Sequence, residues 1–252
     1  MLRRSVSRLL VLFILFAVPA GAQTIRRHVR LSAPLTPEQQ SLWNRYSQAI
    51  FDSAVYQSWN LRQLRPLAPD PNGQVLLATL TSESYPVGQP LGSHGYIWVT
   101  GVPEVQDLCR AFRGDVRMQL RELIGLPPDE KIPYAVVLQA NVSDVFRPSP
   151  WPETDTQWPC GTSSAQSVPA DCGNAFPKDA GAAHIDWIAT ADLQLHSIPD
   201  GYPWTHLGYT YNWAPNKDRY GASEYVIRED SKYPIMVVSS VSPEQYCAPP
   251  AQ

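Results

Sequence analysis

Four cysteines in a chain that opens with an export leader constrain this fold more than any other sequence feature. Arg3, Arg4 and Arg8 precede an almost wholly apolar run, Leu9 to Ala20, and Ala20-Gly21-Ala22 supplies the small residues that a signal peptidase reads. Charge, length and cleavage chemistry together predict a signal peptide over residues 1–22. The apolar run is too short to span a hydrocarbon core about 30 Å thick. The expectation is therefore a secreted or periplasmic protein, residues 23–252 forming a single globular domain with no membrane anchor after cleavage.

In an oxidising compartment Cys109, Cys160, Cys172 and Cys247 become candidate disulfide partners. Four cysteines allow three pairings. Cys160 and Cys172 share one loop-like stretch, which favours Cys160–Cys172 and leaves Cys109–Cys247 as a long-range staple. The close Cys-x-x-Cys pairs of a zinc site are missing. There are 25 prolines among 252 residues, about twice the usual share of roughly 5%. With eight Trp and twelve Tyr this is the composition of an ordered domain with long loops, not of a disordered chain.

After the leader, 17 basic residues face 23 acidic ones, a net charge of −6. That balance argues against nucleic acid as a partner, because phosphate neutralisation needs Lys and Arg. It argues equally against docking on anionic lipid.

Helix and strand signals are mixed along the chain. Thr36-Pro37-Glu38-Gln39 is a capping box with proline at the first helical position. Leu42, Tyr46 and Ile50 continue it at helical spacing, towards Trp59. Strands are predicted at 74–80, 96–100, 134–138, 223–228 and 234–241. Val105, Leu108, Cys109 and Phe112 mark one helix; Asp115 caps a second that ends at Gly125. Asp179 is expected to cap a third reaching about Leu195. Residues 205–213 alternate so that Thr205, Leu207, Tyr209, Tyr211 and Trp213 share one strand face. Residues 147–178 form a long loop stapled by Cys160 and Cys172. Without regular βαβ alternation the class is α+β, a mixed, mostly antiparallel sheet with several helices.

Several constellations carry residue types suited to chemistry. His184-Ile185-Asp186 with His196 and His206 offers metal-ligand residue types, but residues two apart do not share a helix face. A helical zinc pair at i, i+4 is blocked by Ile188. No metal is expected. Gly92-Ser93-His94-Gly95 is not a nucleophile elbow, and sequence adjacency is not triad geometry. The aromatic run Tyr202 to Trp213 reads either as a stacking surface or, more simply, as a core strand.

Ser223-Glu224-Tyr225-Val226-Ile227 places a glutamate at the head of an apolar strand, followed by a turn and Ile235-Met236-Val237-Val238. Taken with Tyr96 to Thr100 and the helix after it, this segment order resembles that of ADP-ribosyltransferase toxins. The C-terminal half is also similar to uncharacterised exported bacterial proteins, which implies no activity. The toxin resemblance implies NAD as a substrate rather than a tightly bound cofactor. It implies Glu224 as the carboxylate stabilising an oxocarbenium-like ribose, and Thr100 as the middle-strand position. It implies Arg62 or Arg65 as a phosphate or ribose contact. The strand carries no Ser-Thr-Ser triplet. Ala222 stands where many transferases carry Glu or Gln, which turns the expectation from transfer towards NAD glycohydrolysis. The alternative is a non-catalytic binding module that uses Trp151, Trp158 and the aromatic strand to engage a cell-envelope partner, whether glycan or protein.

Overall fold

A computed structural model describes residues 34–54, 61–198, 200–215 and 218–249. The predicted signal peptide lies outside the described residues. The first described element is α1 (Pro37–Ser53). Thr36 Oγ1 accepts the Gln39 backbone N–H, and the Gln39 side chain accepts the Thr36 N–H, closing the predicted capping box. Thr36→Ala should lower stability by about 1 kcal/mol in chemical denaturation, the usual worth of such a cap. The helix ends at Ser53, short of Trp59, which itself lies outside the described residues.

Seven antiparallel strands follow, with helices between them: β1 (Gln74–Thr81), β2 (Ile97–Gly101), α2 (Glu104–Cys109), α3 (Val116–Leu123), β3 (Tyr134–Asn141), β4 (Val145–Phe146), α4 (Ala182–Leu195), β5 (Tyr209–Tyr211), β6 (Tyr220–Ile227), β7 (Met236–Val241) and α5 (Pro243–Tyr246). The sheet order is β4-β6-β2-β1-β3-β7, with β5 also pairing to β6. The α+β class is as the sequence predicts.

Strand alternation sorts the core onto the two faces of the sheet. Val75, Leu77, Val99, Leu138, Tyr225 and Ile227 pack together on one face. Ala78, Ala135, Val137 and Ala222 point to the other, where they meet Val105 and Cys109 of α2, Leu120 and Leu123 of α3, and Tyr246 of α5. Cys109–Cys247 ties α2 to the end of α5 across 138 residues, and Cys160–Cys172 staples the long loop, the pairing the sequence favoured. No helix among the described residues is long and apolar enough to cross a membrane.

Two expectations are corrected. The alternating strand 205–213 contracts to β5, whose three residues are all buried. His206 (φ 60°) and Gly208 (φ 82°) adopt left-handed backbone, which a strand cannot continue through. The faces do not alternate between core and solvent either. Tyr211 and Trp213 pack on Tyr46 and Ile50 of α1, while Tyr209 packs on the stapled loop. The second correction is at α4, which starts at Ala182 after Gly181 and has no side-chain cap, so Asp179 does not cap it.

Gly208 is required for a second reason. A Cβ there would run into Cδ of Arg147, and that arginine is 1% exposed. Its guanidinium donates to the carbonyls of Glu153, Thr156 and Gly208 and to the Tyr225 hydroxyl. A buried cation fully engaged in this way locks the start of the long loop onto β6.

Candidate functional site

The helix-covered face of the sheet holds a row of facing residues. Glu224 lies opposite Thr100, Thr100 opposite Ala78, and Ala78 opposite Val137. Directly opposed residues of an antiparallel pair share a face. The row therefore runs across β6, β2, β1 and β3, with two small side chains, Thr100 and Ala78, at its centre. Small residues on a floor roofed by bulky ones leave a hollow. Here it is a cavity of about 220 Å³. Trp98 and Trp204 wall one side; Ile124, Gly125 and Leu126 after α3, and Tyr246 of α5, wall the others.

Glu224 and Thr100, the two residues singled out in the sequence, thus line the same cavity. The Glu224 backbone N–H donates to the Gly208 carbonyl at 2.9 Å, which fixes the strand beneath the side chain. The carboxyl itself is half-buried among mainly apolar walls. Burial alone pushes its pKa up from 4.5 to about 8, because a charged carboxylate loses hydration and gains no compensating cation there. A carboxyl held protonated near neutral pH can both donate and accept a proton, the property general acid–base catalysis needs. A second polar group belongs to a wall residue, Tyr246. The Tyr246 hydroxyl is buried and has no hydrogen-bond partner among the described residues, and burial raises its pKa as well.

Arg62 and Arg65 are not brought to this cavity. The Arg62 guanidinium stacks 3.6 Å above the Tyr220 ring. Arg65 pairs with Asp107 at 3.2 Å, and its backbone N–H donates to Ser223 Oγ at 2.7 Å. Ser223 precedes Glu224 on the strand and so faces the other way. Neither arginine is among the residues that line the cavity.

The remaining candidates separate. His94 Nδ1 lies 2.8 Å from the Gly95 carbonyl, so Ser93-His94 forms no catalytic pair. His184 Nε2 is bonded to the Ser149 carbonyl, and Asp186 is exposed on α4; neither joins His196 and His206. Those two histidines instead converge on Asp192, a residue the sequence reading passed over. The signal was present as Asp192-x-x-x-His196, which puts both residues on one face of a helix. His196 Nδ1 is 2.7 Å and His206 Nε2 3.1 Å from Oδ1 of Asp192. Burial foremost, and then the neighbouring His196, lowers the His206 pKa to about 4. Trp204 joins the two sites: it walls the cavity and packs tilted against His206 with ring centroids 3.9 Å apart.

No family model, curated protein or solved structure matches this chain.

Proposed function

We propose that this is an exported enzyme whose cavity takes a compact, largely apolar small molecule and exchanges a proton with it through Glu224. The observation that carries the reading is the Glu224 carboxyl, raised to about 8, facing an otherwise mainly apolar cavity. Buried titratable groups placed in a concave, aromatic-walled site are where binding and proton transfer are expected. Trp98 and Trp204 offer the ligand ring faces. Export is supported by the leader sequence and by the two disulfides.

The test is a panel of small uncharged aromatic compounds, titrated while the indole N–H resonances of Trp98 and Trp204 are followed. Saturable shifts at both indoles, lost in Ala78→Leu as the floor fills, are the expected result. A panel with no saturable binder overturns the reading.

Cleavage of NAD is the second reading, and the pairing of Thr100 opposite Glu224 favours it. In that reaction the bond between ribose and nicotinamide breaks, water supplies the new hydroxyl, and an ionised Glu224 steadies the positive ribose. The cationic nicotinamide ring would itself draw Glu224 towards ionisation. The placement of Arg62 and Arg65 weighs on the other side, since neither would meet the phosphates. Nicotinamide release by the oxidised protein, absent in Glu224→Gln, is the expected outcome; no release from folded protein removes NAD from consideration. The binding-module reading loses the strand's share of its aromatic surface, because Tyr209, Tyr211 and Trp213 are at most 5% exposed, but keeps Trp151 and Trp158, which are half-buried.

A further inference from the structure

We propose that Asp192, His196 and His206 form a divalent-metal site of the zinc type, with one carboxylate oxygen and two imidazole nitrogens as ligands and a fourth position open to solvent. The inference is independent of what the cavity binds.

It rests first on hydrogen-bond direction. His196 Nε2 lies 2.9 Å from the Trp204 carbonyl. A carbonyl only accepts, so Nε2 carries the hydrogen, and in a neutral ring Nδ1 then presents a lone pair. That lone pair faces Oδ1 of Asp192 at 2.7 Å. Two acceptors at this distance repel unless a cation stands between them. His206 Nε2 approaches the same oxygen to 3.1 Å and is buried. The three ligand atoms all lie within 4.8 Å of one another. Zinc bonds nitrogen and oxygen at about 2.0–2.2 Å, so a metal can be seated by small movements of the Asp192 side chain, which is 48% exposed.

The surroundings match metal ligation too. A ligating histidine ordinarily donates its other ring N–H to a carbonyl or carboxylate, which orients it, and Trp204 serves His196 in that way. His206 holds a left-handed φ of 60°, a conformation unfavourable for a non-glycine residue. Two nitrogens and one oxygen suit zinc, and three protein ligands leave room for a water.

Zn²⁺ titration of the oxidised protein, read by competition with a chromophoric chelator, tests this. The expected result is one Zn²⁺ per chain, with affinity at least 100-fold weaker in Asp192→Asn and in His206→Gln, on the scale of losses at metal sites. His94→Gln should be unchanged. Co²⁺ loaded into the unmutated protein provides a readout that needs no variant: an intense visible absorption reports four-coordinate nitrogen and oxygen ligation. Failure to bind Zn²⁺ stoichiometrically, an Asp192→Asn variant that binds as well as the original, or a weak spectrum like that of hydrated Co²⁺ would each overturn the proposal. In that case a proton shared between His196 and Asp192 explains the short contact.

Discussion

Glu224→Gln should stabilise the protein at pH 8–9 and make little difference near pH 4. The folded carboxyl titrates at about 8, against an ordinary value of 4.5. Below pH 4.5 both the folded and the unfolded chain hold the proton, and burial of the neutral group carries no ionisation penalty. As the pH rises above 4.5 the unfolded chain releases its proton while the folded chain retains it. Unfolding is then coupled to proton release, and stability falls steadily until the pH passes 8. Glutamine has nearly the same shape and nothing to release, so the difference between the two proteins isolates this group from all other carboxyls. The expected gain at alkaline pH is about 2–4 kcal/mol, below the full linkage value because the side chain still meets solvent in the cavity. Urea denaturation at pH 4, 6 and 8.5 would measure it. Parallel pH profiles for the two proteins would mean that Glu224 ionises normally, and proton exchange in the cavity would lose its basis.

Removing the Cys109–Cys247 bridge, as C109S/C247S, should cost about 4 kcal/mol. A cross-link restricts the unfolded chain in proportion to the logarithm of the loop it closes, and here the separation is 138 residues. In a domain whose total stability is of the usual 5–15 kcal/mol, that is a large fraction. The loss should appear in equilibrium denaturation under oxidising conditions and shrink when the original protein is reduced. The bridge also seats α5, and with it Tyr246, so the double variant should show a loosened cavity even where it remains folded. A loss below about 1 kcal/mol would indicate that the sheet holds α2 and α5 in place without the covalent link.

The parts of this molecule that were legible in its sequence are those governed by local chemistry. Thr36 and Gln39 announce a helix start because capping is settled within four residues. The strands near 74, 97, 134, 223 and 236 are marked by β-branched and aromatic runs, and their boundaries move by only a few residues. Glu224 stands out as a carboxylate at the head of an apolar strand, whereas Thr100 is marked only by the resemblance in segment order. That they would face each other was not legible, because register depends on strands more than 120 positions apart. Residues 205–213 misled in the opposite sense. Their alternation is real, but His206 and Gly208 reverse the backbone, and α1 covers a segment that would otherwise have one wet face. Arg147 gave no sign that it would be buried, since its partners are main-chain carbonyls that any residue could supply. Asp192 is not marked out by its sequence neighbours, because the third member of the cluster, His206, arrives from a turn ten residues beyond His196.

The floor of the cavity sits on β2 and β1, interior strands bonded on both sides. Their backbones cannot slide apart to admit a larger guest without breaking ladders on either flank, so on the floor side the room available is set by the volumes of Thr100 and Ala78. A site of that kind measures its ligand. Molecules that differ by a single methylene should be discriminated by about 1–3 kcal/mol, or 10–200-fold, and replacing Ala78 by a larger residue should shift the preferred ligand to a smaller one of the same chemistry.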